Sequence, residues 1–146
     1  MKICREEFGN IFLGGLIDNE YSRRIAPEYI SHPDQTKKLN YLNNVKNSNI
    51  CLATKGLHKS SAWKFGEYIA CSKAIISEPI EYSVTGEFTP EHNYLEFSND
   101  NQLIDNINLL LNDNLLINKI MKNNYDYYNE FLRPDKLILN SLLKIV

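Results

Sequence analysis

The chain has 146 residues, 43% apolar and 23% charged, with 16 basic against 18 acidic side chains and a net charge of −2. That length carries one domain with one hydrophobic core, and the near-neutral balance supplies no whole-molecule field for nucleic acid or an anionic membrane as main partner. The longest apolar run, Ile104–Leu111, is broken by Asp105, Asn106 and Asn108 and falls well short of the roughly 20 residues of a membrane span.

Met1–Asn10 is mixed and holds two consecutive glutamates, unlike a secretory leader. It runs at once into "IFLGGL" (Ile11–Leu16), a short apolar stretch ending in glycines, which reads as a buried parallel strand leaving into a turn. A core strand so early implies that the chain is a fragment or the second half of something larger. Glu20–Ile30 is ambiguous, with Pro27 limiting any helix. Asp34–Asn47 places Leu39, Leu42 and Val45 at three-residue steps and predicts one amphipathic helix. "NICLA" (Asn49–Ala53) is a second buried strand.

Ser60 and Ser61 can cap a helix running through Cys71. "AIIS" (Ala74–Ser77) is a third strand, stopped by Pro79. After a loop with Gly86 and Pro90, "NYLEF" (Asn93–Phe97) alternates like an edge strand. Ser98–Asn101 opens a helix with Leu103, Ile104, Ile107, Leu110 and Leu111 on one stripe. A further helix over about 114–131 has a polar, tyrosine-rich back half, in which Tyr125, Tyr127, Tyr128 and Phe131 are expected to lock it against the sheet or to cover a partner domain. Pro134 breaks it, and Asp135–Val146 forms a last helix with Ile138, Leu142 and Ile145 on one face. Strands alternating with helices indicate an α/β layer fold with a mainly parallel sheet, wrapped by the C-terminal helices.

In such sheets ligands bind beyond the carboxyl ends of the strands, where loops lead into helix N-termini. "TKGLHKSSA" (Thr54–Ala62) is a loop of this kind. Gly56 permits a tight turn, Ser60, Ser61 and Ala62 offer backbone N–H groups to an anion, and Lys55, His58 and Lys59 add charge. On the helix that follows, Lys64 and Glu67 are three positions apart and share a face, opposite the apolar stripe of Ala62, Phe65 and Ile69. A cation beside phosphates and a carboxylate for ribose hydroxyls suit a nucleotide, although the same spacing commonly makes a plain exposed ion pair. Cys4, Cys51 and Cys71 are odd in number and widely spaced, giving neither a disulfide framework nor a zinc site, and fit reduced thiols in the cytoplasm. His92 and Glu91, with Glu78, Glu81 and Glu87 nearby, lack tight metal-ligand spacing and read as solvated loop charge. No nucleophile elbow, dinucleotide fingerprint or Walker loop occurs.

"KFGEYIACSKAIIS" (Lys64–Ser77) resembles the Lys-x-x-Glu-Tyr-x-Ala-x-x-Lys-x-x-Ile segment in the C-terminal domain of GT-B-fold glycosyltransferases. The likeness extends through "NSNICLATKGLHKSSAWK" before it and "SEP", "NYLEFSNDNQLIDNI" and "FLRP" after it, over about Asn40–Val146. It implies a single Rossmann-like three-layer domain over 1–146, the donor-binding half of a two-domain enzyme whose N-terminal acceptor-binding domain lies elsewhere. The donor would be a nucleoside-diphosphate sugar, with no other cofactor and no metal, in glycan or polysaccharide synthesis, in the cytoplasm or peripheral to the inner membrane face. On this resemblance Glu67 would hold the ribose, Lys64 the pyrophosphate, and Ser60 and Ser61 the phosphates through their amides. Gly56, Leu57 and His58 would line the donor pocket, Glu78 would contact the sugar or its acceptor, and Arg24, with Arg23, would meet the diphosphate after the Gly14–Gly15 turn. Lys64 and His58 would be the catalytic pair.

Two departures stand out. Many retaining members carry two glutamates separated by seven intervening residues; here Glu67 would be the second and the first position is Lys59, which leaves the stereochemical outcome open. Residues 17–48 are also too few for the usual two further strand–helix units. The alternatives are a non-catalytic partner-binding module of the same fold, or a flavodoxin-like protein whose "GLHKSSA" loop holds a different phosphate.

Overall fold

The structure is a computed structural model that describes residues 1–61 and 63–143. It divides into two compact units, Met1–Asn47 and Ser48–Val146.

The first unit is helical: α1 (Lys2–Phe8), α2 (Glu20–Ile25), α3 (Pro33–Thr36) and α4 (Lys38–Asn47), with 3₁₀ turns at Gly9–Ile11 and Pro27–Tyr29. Arg5 organises it, donating to the carbonyls of Glu28 (2.8 Å) and Gly14 (3.1 Å) while its guanidinium lies 5.0 Å from the centre of the Tyr29 ring. Ile11–Leu16 does not form the expected core strand. Ile11 is 69% and Leu13 52% exposed, and only Leu16 makes a parallel bridge, with Ile30. The two glycines explain this: they offer no side chains to bury and weaken a strand. Gly15 instead permits a close backbone approach, since a Cβ there would come within 1.9 Å of the Ser31 hydroxyl. The ambiguous stretch resolves into α2, which opens on a capping box between Asn19 and Ser22, followed by the turn that Pro27 begins. The single helix expected over 34–47 is broken at Lys37, whose backbone is extended (ψ 133°); Leu39 points to solvent and Val45 is the buried residue of α4.

The second unit holds the sheet: β1 (Ile50–Ala53), α5 (Trp63–Ala70), β2 (Ala74–Ser77), β3 (Tyr94–Glu96), α6 (Asp100–Asn112), α7 (Asn114–Tyr127) and α8 (Pro134–Leu143). Strand order is β1-β2-β3 and both pairings are parallel, with Ala53 beside Ser77 and Ser77 beside Glu96. It is an α/β unit with a short parallel sheet. Every residue of β2 is buried, as a central strand covered on both faces must be, whereas β1 alternates as an edge strand does. α5 packs on β1, and α6 and α7 pack on β2. α6 opens with the Asn99 side chain accepting from the Gln102 N–H, and α7 with Asp113 accepting from both Leu115 and Leu116. α7 ends in a π turn over Tyr128–Leu132, ahead of Pro134. No residue of α8 is buried: Ile138 and Leu142 are more than half exposed, and Ile145 lies outside the described residues.

α7 carries the core's main polar element. Its buried face is Ile117, Ile120, Asn124 and Tyr127, at helical spacing. Asn124, wholly buried, donates to the carbonyls of Lys73 (2.7 Å) and Asn93 (2.8 Å) and accepts from the Asn93 amide (3.2 Å). Removing it takes a hydrogen-bond partner from two carbonyls and an amide in the core, so Asn124→Ala is expected to lower stability by about 2–4 kcal/mol in urea melts. Asn123→Ala, which removes one exposed bond to His92, should cost under about 1 kcal/mol.

Cys51 gives a second test. Burial pushes its thiol from an ordinary value of 9.0 up to about 12, against a smaller opposing pull from Lys73. At pH 8 a thiol reagent should modify half-exposed Cys71 and leave Cys51 untouched until the chain unfolds. Because the unfolded thiol ionises first, stability should fall as pH rises from about 9 toward 12.

Candidate functional site

The three strands end almost level, and the segments leaving them form one charged turn. The Lys55 N–H, two residues beyond β1, donates to Glu78 Oε2 at 2.7 Å, immediately beyond β2. Its ammonium donates to Glu81 Oε1 at 2.5 Å, and the other oxygen of the same carboxylate lies 3.1 Å from the Lys59 ammonium. Gly56–Ser60 closes on itself: the Lys59 N–H donates to Gly56, Ser60 to Leu57, and Gly56 back to Ser60. This closure forces His58 (φ 55°) and Lys59 (φ 62°) into the left-handed region, which costs a residue with a side chain about 1–2 kcal/mol. The Tyr82 hydroxyl, donating to the His58 carbonyl at 3.1 Å, fastens the turn to the loop after β2.

The charges sharpen one another. The hydrogen bond to Glu81 raises the Lys55 ammonium against a smaller desolvation effect, with the charges of Glu81, Glu78 and Glu96 adding to it. The bonds from Lys55 and then Lys59 hold the Glu81 carboxyl below its ordinary value of 4.5.

The residues singled out in the sequence fall into three places. Gly56, Leu57, His58, Ser60 and Ser61 lie on the turn; Leu57 is 81% exposed, and His58, Ser60 and Ser61 are exposed too. The Ser60 amide is not open to an anion, because the turn takes its N–H for the Leu57 carbonyl; Ala62 lies outside the described residues. Lys64, exposed, and Glu67, half-buried, stand on the first turns of α5, whose Phe65, Tyr68 and Ile69 are buried. Arg24 is on α2 in the first unit with its guanidinium 5.8 Å from the centre of the Tyr21 ring, and Arg23 pairs there with Asp18. Glu78 does sit at the carboxyl end of β2, as a hydrogen-bond acceptor for the turn.

Glu81 and Tyr82 are the residues whose roles were missed. Glu81 is 26 positions from Lys55, beyond any local pattern, and had counted only as loop charge. Among the described residues no group of three or more His, Cys, Asp or Glu side chains could hold a metal ion.

An apolar groove of about 380 Å³ runs beside α5, lined among others by Trp63, Phe65, Gly66, Ile80, Phe88 and Tyr127. Two of its lining residues belong to a chain of ring contacts: Phe88 stacks on Tyr94 at 5.4 Å and tilts against Tyr127 at 4.9 Å, which meets Phe131 at 5.4 Å. Tyr127 therefore locks α7 in place, while Tyr125 is 54% exposed.

No family model, curated protein or solved structure gives a significant match to this chain.

The Glu81 pairing can be read directly. Its carboxyl carbon should titrate below 4.5 by NMR, and Lys55→Gln should raise that midpoint more than Lys59→Gln. A carboxylate held low contributes stability above its ordinary value and loses it as pH falls through the lower, folded one.

Proposed function

We propose that the chain is the donor-binding half of a glycosyltransferase, taking a sugar from a nucleoside diphosphate to a hydroxyl acceptor. One observation carries the reading: the ends of three parallel strands meet a turn bearing two lysines, and the helix leaving that turn presents Lys64 and Glu67. In parallel α/β sheets this edge is where ligands bind.

Glu67 accepts the ribose hydroxyls, and Lys64 meets the pyrophosphate. During transfer the acceptor oxygen bonds to the anomeric carbon as the bond from that carbon to the diphosphate breaks. Negative charge grows on the leaving diphosphate, and fixed cations at that point lower the barrier. Lys64 supplies the first of them, with His58, Lys55 and Lys59 from the turn. The acceptor, and the base that takes its proton, belong to another domain, so the isolated chain binds nucleotide and turns over little.

A second reading, a partner-binding module of the same fold, is favoured by α8, where Leu137, Ile138, Leu139, Leu142 and Leu143 are all exposed. Calorimetric titration with UDP, GDP and ADP separates the two. At least one should bind saturably, and Glu67→Ala should weaken it roughly tenfold, the loss of hydrogen bonds to a charged acceptor. No heat from any nucleotide, with circular dichroism showing an intact fold, rejects the enzyme reading.

A further inference from the structure

We propose that the Glu81 carboxylate is an internal stand-in for the anionic ligand, and that it must leave the Lys55–Lys59 turn before a diphosphate can bind. The inference rests on the diphosphate reading of that turn and adds a gate to it.

Each Glu81 oxygen is held by a different lysine, Oε1 by Lys55 at 2.5 Å and Oε2 by Lys59 at 3.1 Å. Beside them the backbone N–H of Lys55 is taken by Glu78 at 2.7 Å. Two ammonium groups and a main-chain N–H converging on carboxylate oxygens are the donors a diphosphate would use. The charge count points the same way. With Glu81 seated, Lys55 faces the carboxylates of Glu81, Glu78 and Glu96, and Lys59 shares that of Glu81. Seated, Glu81 sets one negative charge against an incoming anion; withdrawn, it leaves both ammoniums to the diphosphate without that opposing charge.

The exchange is open to solvent. The Glu81 side chain is 37% exposed, and exposed ion pairs of this kind are weak. A diphosphate carries more charge and more acceptor oxygens than one carboxylate, so it can displace Glu81. Tyr82, bonded to the His58 carbonyl, tethers the neighbouring backbone so that the displaced carboxylate stays close enough to return.

The test uses the full chain and inorganic pyrophosphate, followed by calorimetry at pH 7 in low salt. Glu81→Gln should bind pyrophosphate roughly three- to tenfold tighter than wild type, the range expected for removing two exposed pairs and one repelling charge. Adding Lys55→Gln to that variant should abolish the gain. Glu87→Gln, the same charge change on the same exposed loop, should leave affinity within about twofold. In wild type, saturating pyrophosphate should move the titration midpoint of the Glu81 carboxyl carbon back up toward its ordinary value. The gate is overturned if wild type binds and Glu81→Gln binds no tighter, if Glu87→Gln gains as much, or if the Glu81 midpoint stays put in the bound state. If neither wild type nor Glu81→Gln binds pyrophosphate or UDP while both remain folded, the diphosphate reading fails and the gate falls with it.

Discussion

The second unit is organised around one buried amide pair. Asn124 and Asn93 are each at most 1% exposed, and burying such groups unpaired would cost about 1–3 kcal/mol apiece. Here the pairing also has a direction. Asn124 reaches the carbonyls of Lys73 and Asn93, the residues immediately before β2 and β3, while Asn93 Oδ1 accepts from the Thr89 N–H. α7 is thus fastened to the amino ends of two parallel strands. An apolar contact could slide along the sheet; three hydrogen bonds of fixed geometry cannot, and the helix register follows from them.

The same helix also seats the loop that leaves β2. One turn beyond Asn124, the Tyr127 hydroxyl donates to the Thr85 carbonyl at 2.5 Å. One turn further, Phe131 lies against Gly86, whose φ of +73° suits glycine and whose absent Cβ would sit 2.6 Å from the Phe131 ring. These contacts seat the middle of the loop that leaves β2, and the early part of that loop carries Glu81 and Tyr82 to the lysine turn. The geometry of the charged site is therefore inherited from the core: a helix pinned by asparagines positions a loop, and the loop positions a carboxylate.

That chain of cause explains what the sequence made legible. β2, "AIIS", could be read because a central parallel strand is apolar throughout, and α6 because its stripe repeats over three turns. Asn124 could not be read as core, since an asparagine scores as surface; the signal was its place in the 117–120–124–127 series, which a purely apolar count overlooks. Ile11–Leu16 misled for the converse reason: an apolar run shows which residues could be buried, not whether a neighbouring strand is there to bury them. Leu39 misled likewise: it keeps its three-residue step to Leu42 and Val45 within α4, yet it lies 77% exposed on the first turn and only Val45 is buried. At the site, the loop around Gly56 and the position of Glu78 at a strand end were visible from local pattern, whereas Glu81 became visible only once the fold had brought residues 55 and 81 together.

The position of the lysine turn is also hard to attribute to stability. Its ion pairs are substantially exposed and screened by salt, so they hold the fold weakly. Its backbone works against the fold, because His58 and Lys59 are side-by-side left-handed residues with full side chains. An asparagine or glycine at either position would relieve that conformation at no cost to the core. A strained turn that presents cations at the ends of parallel strands, and needs Tyr82 and two glutamates to steady it, is therefore better explained by what it can receive than by what it supports.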